Sequence, residues 1–146
     1  MRSWPAADRC AQAALAGLAL AGLGIAAYLT FARYADVAIA CSTGGCETVQ
    51  SSRYATVADI PVAVLGLVGY AAILASVSGS GPRSRTVTAS LSAVGAGFSL
   101  YLIVLQASVI GAFCVWCLAS DVLLCVILLL ALARLYVPQP AGRTST

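Results

Sequence analysis

A chain of 146 residues that is 61% hydrophobic and 9% charged, with a mean hydropathy of +0.97, lacks the polar surface a water-soluble globule needs, because soluble domains carry roughly 25% charged residues. What remains is an all-α polytopic membrane protein. The net charge of +3 carries no nucleic-acid signal, and the absence of histidine removes the usual metal ligand and general base.

The first ten residues are polar and hold Arg2 and Arg9. From residue 11 to 32 no charge occurs, long enough to span a bilayer at about 1.5 Å per residue. The run is too long for the core of a cleaved signal and is followed by more apolar chain, so it reads as a retained helix. Ala13, Gly17 and Ala21 repeat every four residues, a small-residue stripe where another helix is expected to pack. Residues 33–59 form a long polar loop with Cys41 and Cys46 around Ser-Thr-Gly-Gly. Gly44-Gly45 marks a turn, and Cys46 to Arg53 is expected to form a short helix on the membrane surface. The second span covers 60–77, with Pro61 suited to a helix's first turn. A polar turn at 79–85 precedes the third span, 86–110, which carries a second stripe in Ala89, Ala93 and Gly97. The fourth span is 114–136, and 137–146 is a Pro/Gly/Ser/Thr tail expected to be mobile. The expected fold is one membrane domain, a bundle of four transmembrane helices with a long extracytoplasmic loop between helices 1 and 2.

Arginine placement sets the orientation. Arg2, Arg9, Arg83, Arg85, Arg134 and Arg143 fall on one side, and Arg33 and Arg53 on the other. The positive-inside rule puts both termini in the cytoplasm and the 33–59 loop outside, with Cys114 on that same outer side.

Cys114-Val115-Trp116-Cys117 lies between the break at Gly111 and the apolar run that follows. On a helix starting there, both sulfurs lie in the first turn, where free N–H groups and the helix dipole favour a thiolate, the reactive form in disulfide exchange. The plain alternative is two buried cysteines acting as small hydrophobes. Cys41, Cys46, Cys114 and Cys117 gather at the outer end, Cys10 lies at the inner end, and Cys125 is expected to be packed within the fourth span. Four thiols would also suit a zinc site, but zinc frameworks usually pair two C-x-x-C knuckles and one pair here is C-x-x-x-x-C; no metal is expected. A Cys41–Cys46 bridge would close a very short loop and contribute little stability, which suits exchange better than stapling. Asp121 is a carboxylate inside a span, costing about 2.5–3.5 kcal/mol on insertion scales, and lies on the helix face of Cys114 and Cys117. It is a functional candidate, or a carboxylate satisfied by Ser or Thr of a neighbouring helix.

The order of a loop cysteine pair, then Cys46-Glu-Thr-Val-Gln-Ser-Ser52-Arg-Tyr54, then Ile60-Pro61-Val-Ala-Val-Leu-Gly66, then Ser99-Leu-Tyr101 leading to Cys114-Val-Trp-Cys117, resembles the vitamin K epoxide reductase family in its bacterial form over roughly residues 11–136. The resemblance implies a four-helix bundle enclosing a quinone. It makes Cys41 and Cys46 the relay pair that a thioredoxin-like partner reduces, Cys114 and Cys117 the quinone-side pair, with Cys117 reducing the quinone, and Ser52 a loop hydroxyl near the site. The net result is disulfide formation in secreted proteins at the cell (inner or plasma) membrane. Many bacterial relatives carry a fused thioredoxin-like domain; this chain ends soon after its fourth helix, so a separate thioredoxin-like, DsbA-like protein is the expected partner. Animal members have a tyrosine at the place of Asp121 and an asparagine where apolar residues stand around Val62. The expected acceptor is therefore a respiratory quinone, menaquinone or ubiquinone, with Asp121 hydrogen-bonding it. Two other classes fit parts of the pattern: a proton-coupled transporter using Asp121, and a disulfide-stapled structural membrane protein.

Overall fold

A computed structural model describes residues 4–136; the expected tail at 137–146 lies outside them. The elements in order are α1 (Trp4–Ala35), α2 (Gly45–Ser51), a 3-10 turn (Arg53–Ala55), the strands β1 (Thr56–Val57) and β2 (Ile60–Pro61), α3 (Val62–Ser78), α4 (Pro82–Leu105), a π turn (Gln106–Ile110) and α5 (Val115–Tyr136). Three stretches, Ala6–Ala35, Pro82–Ile110 and Val115–Tyr136, are long and apolar enough to cross a membrane, and α3 is a shorter apolar helix of 17 residues. The long helices close a ring: α1 packs on α3 and α5, and α4 packs on the same two.

The core follows helical periodicity. Leu15, Ala19 and Ala26 of α1 meet Tyr70, Ile73 and Val77 of α3 and Ile127 of α5, the alternating three- and four-residue spacing that keeps side chains on one face. Gly22 belongs to this face because a Cβ there would overlap the Tyr70 ring. Its absence opens the slot in which Tyr70 lies, with the phenol oxygen 2.8 Å from both the carbonyl and the hydroxyl oxygen of Ser120.

The expected small-residue stripes are not the packing faces. Ala13, Gly17 and Ala21 are exposed, and so are Ala93 and Gly97, although Ala89 is buried. A Cβ on Gly17 or Gly97 would meet nothing within 4 Å. The packed face of α4 is Arg85, Thr88, Ala89, Ser92 and Ser99. Cys125 is likewise exposed rather than packed inside.

At one end, the start of α1 is tied to α4 and α5 by charge. Asp8 Oδ1 lies 2.8 Å from Arg85 Nη2 and 3.0 Å from Arg134 Nε. Arg85 also donates to the Arg134 carbonyl at 2.8 Å. Both guanidinium groups are buried, and charge removed from water at a helix end has to be paired.

At the other end, the segment between α1 and α3 covers the bundle. Thr56 pairs with Pro61 and Val57 with Ile60 in an antiparallel hairpin. Its two-residue turn places Ala58 and Asp59 at φ of 50° and 65°, the positive values a tight hairpin turn demands. Residue 60 therefore belongs to the hairpin, and α3 starts at Val62, after Pro61. Pro82 at the first turn of α4, after Gly81 at φ 111°, starts that helix before the expected Thr86.

Candidate functional site

The covering segment is placed by a few contacts of high specificity. The Ala40 N–H donates to the Tyr28 hydroxyl at 2.9 Å, and the Trp116 indole N–H donates to the Ala40 carbonyl at 2.7 Å. The two rings lie 5.3 Å apart at 57°. The backbone on both sides of Ala40 is thus held between helix α1 and the middle of the Cys114–Cys117 motif, which fixes the neighbouring Cys41. Gly44 enters α2 at φ 68°, a left-handed conformation that favours glycine. Gly45 has a different reason: a Cβ there would strike the Phe113 carbonyl, the same carbonyl that accepts from the Thr43 hydroxyl at 3.3 Å. The two glycines and Thr43 bring α2 against the residue before Cys114.

Cys41 and Cys46 are joined in a disulfide, while Cys114 and Cys117 are free thiols. Cys46 and Cys114 are fully buried in one cluster with Val49, against which Cys41, Trp116 and Cys117 pack. The four cysteines expected to act together are thus gathered, with Cys46 and Cys114 at the centre. Cys10 is exposed and lies on α1 two residues from Asp8, at the arginine end.

The loop into α5 fixes the second pair. The π turn ends at Gly111, φ 68°, whose N–H donates to the Gln106 carbonyl at 2.9 Å. The Gln106 side-chain oxygen accepts the Cys114 N–H at 2.8 Å. Cys114 stands at the N-cap of α5: its sulfur accepts the Cys117 N–H at 3.3 Å and its carbonyl accepts the Leu118 N–H at 2.9 Å. A side chain bonded to the third N–H of a helix is the usual N-cap arrangement, here with sulfur in place of oxygen. The neighbouring Cys117 thiol and the backbone N–H groups of Cys117 and Trp116 favour the Cys114 thiolate. They outweigh burial and bring the group down to about 7.

Cys117 sits one helical turn deeper and receives a hydrogen bond from the Gln50 side-chain amide at 3.4 Å. Beside it is an apolar cavity of about 150 Å³ whose polar lining includes Gln50, Cys117, Ser99, Ser120, Tyr70 and Asp121. Asp121 is 5% exposed, and its Oδ2 has no hydrogen-bond partner. A buried carboxyl oxygen left unpaired costs free energy unless something fills that role. Ser52 lies elsewhere: its hydroxyl donates to the Val49 carbonyl at 2.7 Å, and it lines a separate, smaller cavity of about 40 Å³ with Tyr54, Gln106 and Cys117. The two candidate binding residues therefore face two cavities that meet at Cys117.

Sequence reasoning passed over Gln50, Gln106, Tyr28 and Trp116. Gln106 carried a signal, as an amide inside an apolar span. Gln50 carried another, four residues after Cys46. Tyr28 and Trp116 look like ordinary interfacial aromatics until the Ala40 peptide is seen between them. Among the described residues no group of three or more His, Cys, Asp or Glu is placed to hold a metal ion.

Residues 13–132 match the family model described as Vitamin K epoxide reductase family.

Proposed function

The chain belongs to the vitamin K epoxide reductase family, whose members are membrane thiol–disulfide oxidoreductases, and on that premise we propose that it is a thiol:quinone oxidoreductase that reoxidises a separate thioredoxin-like protein and drives disulfide formation outside the cytoplasm. The observation that carries this reading is the burial of Cys46 against Cys114, with Cys41 and Cys117 on either flank, beside a cavity that holds an unpaired carboxyl oxygen.

In this reading the three long helices and the shorter α3 all span the membrane. Arg9, Arg83, Arg85 and Arg134 lie at the end away from Cys41, Cys46, Cys114 and Cys117, which supports a cytoplasmic assignment for that end. The 33–59 loop and Cys114 are then extracytoplasmic, on the oxidising side where disulfides persist.

The partner's thiolate attacks Cys41, the half-buried member of the loop disulfide. That attack frees Cys46, which is buried against Cys114. The partner's second thiolate resolves the mixed disulfide, the partner leaves oxidised, and Cys41 is released. When Cys114 and Cys117 are joined in a disulfide, Cys46 attacks Cys114 and Cys117 leaves beside the apolar cavity. Each step exchanges one S–S bond for another. A thiol brought down to about 7 at Cys114 favours it as the sulfur that closes the second disulfide again near neutral pH.

The residues around the cavity suit a quinone. Apolar cavities of about 150 Å³ hold a benzene-sized ring, and a protonated Asp121 carboxyl is a donor for a carbonyl oxygen. Asp121, Ser99 and Gln50 would hold the ring, with Ser52 in the other cavity that Cys117 also lines. A bound quinone would supply a two-electron, two-proton acceptor at that place. The respiratory quinones, menaquinone or ubiquinone, are the acceptors proposed.

The test mixes purified protein, a reduced thioredoxin-like protein and a soluble quinone, and follows the quinone absorbance. The expected result is quinone reduction that needs all four outer cysteines. Quinone reduction that persists with all four replaced by alanine would overturn the reading; proton-coupled transport that survives the same replacement would favour the transporter instead. Asp121→Ala should weaken quinone use roughly tenfold, by loss of one hydrogen bond in a dry site, while partner exchange stays intact. Asp121→Asn should keep much of the activity because the amide still donates. Equal quinone kinetics in wild type and Asp121→Ala would remove the carboxyl from the proposed site.

A further inference from the structure

We propose that Gln50 is a catalytic residue, its side-chain amide stabilising the Cys117 sulfur as a thiolate each time the Cys114–Cys117 bond opens or closes. The inference rests on the reading of Cys114 and Cys117 as the second redox pair.

The geometry is that of two matched pairs. Gln50 follows Cys46 by four residues on α2, so the two side chains share a face, about 6 Å apart along the axis. Cys114 and Cys117 are the N-cap and the third residue of α5, three apart in the same sense. Cys46 packs on Cys114, and Gln50 Nε2 donates to Cys117 Sγ at 3.4 Å. One short helix thus carries both the attacking sulfur and a donor for the sulfur that leaves.

The transfer balances without any further reagent. The Cys46 thiolate attacks Sγ of Cys114. The Cys46–Cys114 bond forms, the Cys114–Cys117 bond breaks, and its electron pair stays on Cys117. The Cys41 thiolate then attacks Cys46, the Cys41–Cys46 bond forms, and Cys114 leaves with its electron pair. The loop dithiol has been oxidised, the second disulfide reduced, and the two protons of the loop thiols end on Cys114 and Cys117. The bridged Cys41–Cys46 and free Cys114 and Cys117 are the product side of this transfer. In the reverse sense, closing the Cys114–Cys117 bond again also requires charge on one of these sulfurs. A neutral amide donor favours the anion over the thiol in both directions, and a better leaving thiolate leaves faster.

Gln50 is also where two environments meet. It lines the apolar cavity with Asp121 and a polar cavity of about 120 Å³ with Arg33, Asp36, Glu47 and Ser51. It is the residue those two linings share. A Gln at this position keeps a donor on Cys117 from the polar side without placing a charge in the apolar one.

The experiment uses the full chain in detergent with Gln50→Met and Gln50→Leu, which keep bulk and remove the donor. In a Cys114→Ala background, Cys117 alkylation by iodoacetamide is followed against pH by peptide mass mapping. The expected result is a midpoint moved up by about one pH unit or more in both variants, the effect of losing a hydrogen bond to a charged group. With Cys114 present, oxidation of the reduced pair by a soluble quinone should slow roughly tenfold or more, while capture on Cys41 of a partner that keeps only its attacking cysteine, on the chain with the Cys41–Cys46 bridge intact, keeps its rate. An unchanged alkylation midpoint in both variants overturns the proposal. If the wild-type pair is not oxidised by quinone at all, the proposed function fails, and the alkylation profile still decides the role of Gln50.

Discussion

At one end of the bundle Asp8 takes Arg85 and Arg134 at 2.8 and 3.0 Å; at the other the Ala40 peptide is held by Tyr28 and Trp116 at 2.9 and 2.7 Å. Both devices tie helix α1 to its neighbours, and their chemistry differs for a reason. Removing one partner of a buried charge cluster leaves charge uncompensated, so that end resists opening. A neutral hydrogen bond contributes only about 0.5–1.5 kcal/mol net, so a segment held by single neutral bonds can shift while its sulfurs exchange partners. The arginine end is built to stay closed, and the sulfur end to move.

The largest effect expected is at the sulfur end. Cys46→Ala should abolish turnover, because no loop disulfide can form. A partner that keeps only its attacking cysteine should be trapped on Cys41 of the unsubstituted chain, because it has no second thiol to resolve that mixed disulfide. Non-reducing gels and peptide mapping read the trapped species. If peptide mapping finds that partner on Cys46 instead, the direction of the relay is reversed, although the redox chemistry stands.

At the arginine end the expected change is in stability. Arg134→Ala should cost about 1–3 kcal/mol, less than a wholly buried pair because the Asp8 side chain is 34% exposed. Thermal unfolding in detergent measures it. Turnover per folded molecule should stay within about twofold of wild type, since the cluster touches no sulfur. A collapse of turnover without a loss of stability would mean that the two ends are coupled, which is the sharpest way to break the comparison.

A smaller effect follows from Cys114, which sits outside the spans at about 7. Its folded-state value lies below that of a free cysteine, so the thiolate is present above pH 7 and is lost as pH falls through that value. Alkylation of Cys114 in the reduced protein should be half-maximal near pH 7 and fall about tenfold per unit below it. In Cys117→Ala the midpoint should move up, because the Cys117 hydrogen bond is the largest cause of the lowering. An unmoved midpoint would assign the lowering to the helix terminus alone.

What the sequence disclosed divides along the same line. The start of α5 at the cysteine motif was legible because a glycine break and a long apolar run bracket it. So was the gathering of four cysteines at one end, once the helices were placed. The packing faces were not. A strict four-residue repeat such as Ala13, Gly17, Ala21 drifts around a helix by about 40° per step, whereas Leu15, Ala19, Gly22, Ala26 stays on one face. The hairpin was hidden because its turn is Ala58-Asp59, with no glycine at either positive φ. The arginine cluster was hidden for another reason. Asp8 and Arg134 are 126 residues apart, and no local pattern announces a contact between chain ends. Nor does spacing reveal that Ser52 and Asp121 face different cavities, since that depends on where α2 settles against α5.

The smallest effect tests the movable clamp itself. Trp116→Phe keeps the ring against Tyr28 but removes the indole N–H that reaches the Ala40 carbonyl at 2.7 Å. Ala40 precedes Cys41, so loosening its peptide widens the positions the loop disulfide samples without changing any reacting sulfur. Loss of one partly exposed neutral bond is about 1 kcal/mol, or roughly fivefold in the population of the placed loop. Transfer from the loop pair to Cys114 should slow by about that factor, and unfolding temperature should hardly change. Tyr28→Phe removes the other backbone bond at the same residue, so its effect should be similar. The double variant should then show less than the product of the two, because a loop already released from one side gains little from the other. Full multiplicativity would mean that the two bonds act on separate motions and that Ala40 is not a single clamp. A larger drop in transition temperature than for Arg134→Ala would reverse the contrast between the ends.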